Sequence, residues 1–358
     1  MLQPSSIIII GAGLIGLSCA DSLIAQGAKR VSVLDTHDGP ARGTSFSNSG
    51  MIHPSQATPW NMQALSNFDN ISATKAVYEL AVRSKSLILE RAQKLGLNTI
   101  GQRKGCLQMF QNCEERDAKA KLYHSFGVPF ETVNPSAWTQ QRPALFFPDD
   151  ISGNAYEYCV ALAADLKTRG VSFGYGRNIS KISKNTSGEL EIQTQNQTLK
   201  AEHVIIAAGH SSSELLRTSG LTLKTYAERG FAIDFKKPHC DLPDIPIMDY
   251  QSKSAITVFR DRLRLSGTIG ETTETKLFEI WNQIAPNLMA KLGTPLRSWS
   301  ANRPMSTLGR PFIAQTPIEG LWVNTGHGHM GWTLSAGSGA LMADMILKDH
   351  KDPAFELV

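Results

Sequence analysis

Three glycines in G-x-G-x-x-G spacing, Gly11, Gly13 and Gly16, follow directly on the apolar run Ser6-Ile7-Ile8-Ile9-Ile10. No other feature constrains the fold as much. The β-branched run suits a strand buried on both faces. Leu17 to Gln26 has helical spacing and stops at Gly27, and Arg30 to Leu34 is a second strand-forming run that ends at Asp35. Strand, glycine turn, helix and strand make a β-α-β unit. In such a unit Gly11 permits the tight turn, and Gly13 lets the backbone approach a pyrophosphate at the positive end of the helix. Gly16 lets the helix pack on the sheet, and Ala12, Leu14 and Ile15 lie within the same binding loop. Asp35 can accept hydrogen bonds from ribose hydroxyls, and its charge argues against a 2′-phosphate. The same glycine spacing also occurs in turns that hold no ligand. Its place between strand and helix, with an acid ending the next strand, selects a dinucleotide. It does not separate NAD from FAD.

A loop rich in Gly, Ser and Asn follows at 39–50, with many exposed backbone and hydroxyl donors. Residues 74–95 carry apolar positions at Val77, Leu80, Ala81, Leu87, Ile88, Ala92 and Leu95, which predicts a helix ending at Gly96. Further helices are predicted at 155–169, 275–284 and 336–348. Strands are predicted from Val171, at Leu190 to Thr194, at Leu199 to Ile206 and at Trp322 to Asn324. There is no internal repeat and no Pro/Ser-rich linker. The fold class is therefore α/β: a Rossmann-like nucleotide-binding domain interwoven with a mixed-sheet α+β substrate domain. The boundaries are 1–75, 150–220 and 300–358 for the first, and 76–149 and 221–299 for the second.

Composition excludes several classes. The chain has 358 residues, 41% hydrophobic and 19% charged, an ordinary globular balance too long for one simple core. Its formal charge of +4 comes from scattered Lys and Arg, with no basic block and no zinc-finger spacing, so no nucleic-acid partner is expected. Five cysteines, Cys19, Cys106, Cys113, Cys159 and Cys240, form no C-x-x-C pair and read as free thiols in a reducing compartment. No stretch is long and apolar enough for an integral membrane segment. The run Ile7 to Ile10 lacks the preceding Lys or Arg of a signal peptide. The expected location is the cytoplasm, with peripheral contact at the inner membrane left open.

Later segments narrow the choice of nucleotide. Ile205-Ile206-Ala207-Ala208-Gly209 is a strand running into a small-residue turn, similar to the return segment of two-domain flavoproteins. Gly43-Thr44-Ser45-Phe46-Ser47-Asn48-Ser49-Gly50-Met51-Ile52, Asp150-Ile151-Ser152-Gly153-Asn154, Leu265-Ser266-Gly267-Thr268, Asn302-Arg303-Pro304-Met305 and Asn324-Thr325-Gly326-His327-Gly328-His329-Met330-Gly331-Trp332-Thr333 spread over almost the whole chain. With them the sequence resembles the D-amino acid oxidase superfamily of FAD oxidoreductases, and within it the bacterial D-amino acid dehydrogenases.

The resemblance implies a role for each matched position. Thr44, Ser45, Asn48, Gly50 and Met51 would line the pyrophosphate and the flavin edge. Ile179 would meet the adenine, and Ala208 and Gly209 would border the same site. Gly326, His327, Gly328, His329, Met330, Gly331, Trp332 and Thr333 would wrap the ribityl chain and the ring. Arg303 matches the arginine that pairs with a substrate carboxylate. Three departures stand out. Gly153-Asn154 replaces the family's Gly-Asp pair. His329 and Met330 stand where glycine and sarcosine oxidases often carry an Arg. The region around 130–155 looks shortened, which would alter the substrate entrance. No Cys lies beyond Cys240, so FAD would be held non-covalently.

Some residues admit two readings. His327 and His329 are spaced like a metal pair, but no third His, Cys or acid lies near in sequence, so a flavin-loop role is preferred and no metal site is assigned. His53 would face the substrate or sit behind the flavin loop. Tyr226 would touch the substrate or be one more Tyr on a half-buried strand. Trp60 would be a lid aromatic or a packed one. The implied reaction is oxidative deamination of a D-amino or imino acid, with a quinone or dye-type electron acceptor. The alternatives are a glycine/sarcosine-type oxidase using O2, and the flavin subunit of a proline/hydroxyproline-type dehydrogenase complex.

Overall fold

The computed structural model describes residues 6–57, 68–134, 141–240, 244–267 and 273–357, with 68–73 described by their backbone alone. Trp60 and Thr268 lie outside the described residues.

The β-α-β unit forms as its pattern predicts: strand Ser6–Ile10, helix Leu14–Ala25, strand Arg30–Leu34. Side chains alternate across a strand, and here both faces are covered. Ile7 and Ile9 join the core under the helices, while Ile8 and Ile10 join a second core. The sheet has six strands in the order Phe312–Gln315, Leu321–Thr325, His203–Ile206, Ser6–Ile10, Arg30–Leu34, Ser172–Gly174. Only the Phe312–Gln315 edge strand runs antiparallel to its neighbour. Helices Leu14–Ala25, Phe68–Lys94, Ala155–Thr168 and Gly331–Lys348 contribute to the first core. Asp21 pairs with both Arg91 and Arg169 there, tying three helices together. The sequence boundary at 75/76 assigns most of Phe68–Lys94 to the substrate domain, yet Val77, Leu80, Ala81, Ile88 and Ala92 pack into this core.

A three-stranded antiparallel sheet, Ile179–Lys184, Leu190–Thr194 and Thr198–Ala201, covers the other face through Ile182, Leu190 and Ile192. Here the single strand predicted over 199–206 divides. Thr198–Ala201 stays in the small sheet and His203–Ile206 enters the six-stranded one. At the break, Glu202 N–H donates to the Ser6 carbonyl at 3.1 Å. An unbroken apolar run does not record this change of partner.

The third sheet is mixed and has nine strands. Its main path runs Arg297–Ser306, Thr225–Lys236, Arg262–Gly267, Ser254–Val258, Ile247–Asp249, Lys104–Met109, Ala144–Ser152, Met51–Ile52. Helix Glu274–Ile284 buries Leu277 and Trp281 against it, with Phe231, Ile233, Phe235 and Leu265. Met51–Ile52 belongs to this sheet although it follows the nucleotide loop directly, so the chain crosses between the two bodies within fifty residues of Gly11.

Candidate active site

The turn after the first strand sets one end of a cavity of about 1010 Å³. Gly11 has φ +115°, and a β-carbon there would meet the Ala207 carbonyl oxygen at 2.3 Å, so only glycine fits. Gly13 is held back by nothing but a hydroxyl. A β-carbon on it would stand 2.7 Å from Ser45 Oγ, in space that opens on the cavity. Ser45 Oγ accepts the Leu14 N–H at 3.0 Å, at the first turn of the helix. That helix has no acidic side chain in its first turn, so its positive end is available to an anion. Gly16 does not reach the cavity. Its close approach to the Gly11 carbonyl packs helix on strand.

Asp35 closes the far side of the turn. Its Oδ2 accepts the Ala12 N–H at 2.6 Å, and its Oδ1 accepts the His37 N–H at 2.8 Å, with the His37 ring Nδ1 at the same distance. Asp35, Ile179, Ala208 and Gly209 all border the cavity, as do Leu14 and Ile15. Ala12 is buried beneath it.

The loop 43–53 is fixed from both sides. Thr44 Oγ1 donates to the Asn302 carbonyl at 2.7 Å. Asn48 donates from Nδ2 to the Ser45 carbonyl and accepts the Gly50 N–H on Oδ1. Arg264, paired with the buried Asp234, donates to the Asn48 carbonyl at 2.9 Å. Thr44, Ser45, Asn48 and Met51 line the cavity. Gly50, with φ +86°, instead packs under Phe259.

The late glycine segment is more helical than its sequence predicts. The last helix begins at Gly331, five residues before the predicted start, so Gly331, Trp332 and Thr333 are its first turn. Gly331 and the β-branched Thr333 disguise that turn in a propensity reading. Gly328, Gly331, Trp332, His327 and His329 border the cavity. Gly326, Met330 and Thr333 stand behind it. Gly326 packs on Phe312 and Ser306, Met330 is fully buried, and Thr333 Oγ1 accepts the His53 N–H at 3.0 Å. The two late histidines part company: His327 Nε2 meets Ser338 Oγ at 3.2 Å, whereas His329 bonds the Gln56 backbone and lies 6.1 Å from the His53 ring.

Burial pushes the pKa of His53 down to about 3, of His327 to about 3 and of His329 to about 4, so all three rings are neutral near pH 7. His53 Nδ1 is buried without a hydrogen-bond partner among the described residues, and His53 borders the cavity. An unsatisfied polar atom in such a place suits a bound polar group.

Two antiparallel strands form the opposite wall. Tyr226 pairs with Met305, Glu228 with Arg303 and Gly230 with Ala301, and all six border the cavity. Arg303 is half-buried. Burial presses its guanidinium pKa down and the Glu228 carboxylate presses it back up. Tyr226 is 47% exposed, which puts it at the mouth. The bridge between Met305 and His327 ties this wall to the late glycine segment.

Several cavity residues carry no sequence signal. Glu228 is legible afterwards, because Tyr226, Glu228 and Gly230 alternate on one face. Gln56, Gln108 and Tyr123 form a hydrogen-bonded group, with Tyr123 O–H donating to Gln108 Oε1 at 2.9 Å and Gln108 Nε2 donating to Gln56 Oε1 at 3.2 Å. They come from three separate segments and match no motif.

The sequence profile described as DAO: FAD dependent oxidoreductase matches residues 6–345. The chain belongs to this family. A D-amino acid dehydrogenase of Cereibacter sphaeroides is 27% identical over 408 aligned positions, covering 98% of the chain and 93% of the relative. Among solved structures, a glycine oxidase from Geobacillus kaustophilus superposes with a TM-score of 0.82 at 22% identity, covering 99% of the chain and 97% of the neighbour. An L-proline dehydrogenase from P. horikoshii gives 0.80 at 17%, covering 99% and 96%. These neighbours share the DAO fold, and FAD is the cofactor. The cavity fits it: the space over Gly13, the open helix end and the unsatisfied His53 Nδ1 are what a dinucleotide with a polar ring system requires. Asn154, in place of the usual acid, caps helix Ala155–Thr168 by accepting the Tyr156 and Glu157 N–H groups. Asn and Asp cap equally well, so the substitution leaves the helix start intact.

Among the described residues no helix is long and apolar enough to cross a membrane.

Proposed function

We propose that this DAO-family protein oxidises an amino or imino acid of D configuration at Cα, and that hydrolysis of the resulting imine gives a 2-oxo acid, with the nitrogen leaving as ammonium from a primary amine and remaining as an amine from an imino acid. The observation that carries the reading is Arg303, whose guanidinium stands in the cavity wall opposite the nucleotide turn. Bound FAD supplies the acceptor for the two electrons and the hydrogen lost from Cα. The chain holds FAD non-covalently, with Gly11, Gly13 and Asp35 at the adenosine and pyrophosphate, and Ser45, Asn48, Met51 and Gly328 toward the ring.

Arg303 binds the substrate carboxylate through two parallel hydrogen bonds, a geometry that guanidinium has and an ammonium lacks. This contact fixes which face of Cα meets the cofactor. Glu228, beside Arg303, lies within the same wall, and burial raises its carboxyl pKa. It accepts a hydrogen bond from the substrate amine and helps hold the reacting carbon in place. The neutral His53 and His329 add no charge beside the ring. The electrons pass on to a quinone or dye-type acceptor, a reading supported by the dehydrogenase name of the curated relative.

The direct test is turnover of purified, FAD-loaded protein with D-amino acids under a dye acceptor and under air. Dye reduction well above peroxide formation is expected. Equal rates would assign an oxidase instead.

A further inference from the structure

The cavity has an end that the reaction at Cα does not use. Lys119, on helix Cys113–Ser125, and Lys253, at the tip of a hairpin, both border it. Both ammonium groups lie against one ring. Lys253 Nζ is 3.5 Å from the Tyr250 centroid and Lys119 Nζ is 5.0 Å from it. Tyr250 itself packs on Phe110 at 5.3 Å. Among the described residues neither lysine forms an ion pair, although acids lie nearby. The Asp249 carboxylate is occupied by Arg142 at 2.6 Å and by the Ser252 N–H at 2.8 Å. Glu115 accepts the Gln111 N–H at 2.9 Å. Two cations, neither in a direct ion pair among the described residues, therefore lie over one aromatic ring at the edge of a substrate cavity.

Two further observations support a designed position. Lys253 has φ +53°, a left-handed backbone that Gly or Asn would adopt at lower cost. Its ammonium is also pressed down to about 8, by burial and then by the charge of Lys119, against the opposing pull of Glu115 and Asp249. An anion between the two lysines would relieve that pressure. Arg303, Lys253 and His329 all border the one cavity, and the charges of Arg303 and Lys253 both bear on His329.

We propose that the Lys119–Tyr250–Lys253 end receives a side-chain carboxylate, so that the preferred substrate is an acidic amino acid or an imino dicarboxylic acid. The proposal rests on the amino-acid reading above and adds to it the class of side chain. Arg303 takes the α-carboxylate and the lysine pair takes the second.

The test compares isosteres. Anaerobic reduction of the FAD-loaded protein is measured with glutamate against glutamine and aspartate against asparagine, each as the D and L form. The acids should exceed their amides by about tenfold or more in kcat/KM, the worth of one hydrogen bond between charged groups. The double variant Lys119→Met/Lys253→Met should bring that ratio to about one. Single Lys119→Gln and Lys253→Gln variants read the same ratio if the double variant loses its flavin. Amides as good as acids in the wild type, or an acid preference that persists in the variants, would overturn the proposal. Binding is read independently by titrating the flavin spectrum with glutarate and with butyrate. Tighter glutarate binding that disappears in the variants supports the lysine pair. Equal binding of the two overturns it. Failure of every amino and imino acid to reduce the flavin would remove the amino-acid reading, while this titration still judges the lysines.

Discussion

Gly230 and Arg303 share one small volume: a β-carbon on Gly230 would stand 2.5 Å from Arg303 Nη2. The cross-strand register sets Gly230 one pair from Arg303 on the cavity face. The absence of a side chain at 230 is therefore what lets the guanidinium lie where it does. Gly230→Ala should push the guanidinium aside. FAD binding should survive, while kcat/KM for the amino acid falls about tenfold to a hundredfold, the worth of one charged hydrogen bond. Unchanged kinetics would show that the guanidinium position does not matter to substrate.

Removing the guanidinium altogether should cost more. Arg303→Leu should keep the flavin and lose about 2–5 kcal/mol of transition-state binding, roughly thirty- to several-thousand-fold in kcat/KM. Arg303→Lys should recover only part of this, because an ammonium offers one point charge. Benzoate-like carboxylates should no longer perturb the flavin spectrum. A variant that still binds them places the carboxylate anchor elsewhere.

At the other end of the cavity, Gly13→Val should abolish FAD binding and leave the far-UV circular dichroism nearly unchanged. The added carbons would occupy the space beside Ser45 Oγ that the cofactor needs. A fully yellow variant would disconnect this turn from the cofactor.

How much of this was legible from residues follows from where the interactions lie. The Gly11 to Asp35 unit is local, and its turn, helix and acid are spelled out within thirty residues, so the pattern and the structure agree strand by strand. The 199–206 run failed for the opposite reason: both halves are apolar and β-forming, and only pairing with distant strands separates them. Arg303 was legible by resemblance, but its neighbours Glu228 and Gly230 come from a strand some seventy residues away. Lys119, Tyr250 and Lys253 meet only because a helix and a hairpin tip converge, and no spacing in the chain announces that.

Stability should also report on a buried acid. Asp150 accepts hydrogen bonds from Ser55 Oγ at 2.6 Å and Ser55 N–H at 3.2 Å, yet burial raises its pKa to about 7. Between pH 4 and 7 the folded state holds a proton that the unfolded state has released, so this residue makes stability fall as pH rises through that window. The loss is on the order of 4 kcal/mol at most, from about three pKa units at 1.36 kcal/mol each. Asp150→Asn removes the titration. The wild type should lose more Tm than the variant between pH 4.5 and 7.5. Parallel curves would show that Asp150 keeps the same pKa in both states.

Anaerobic mixing of the FAD-loaded protein with D- and L-amino acids, followed by a quinone or by air, tests the proposal that FAD in this cavity accepts electrons from a D-amino acid held by Arg303. The flavin band should bleach with D-amino acids, return rapidly with the quinone and return slowly with air. A flavin that stays oxidised with every amino and imino acid, yet is fully reduced by dithionite, would contradict it.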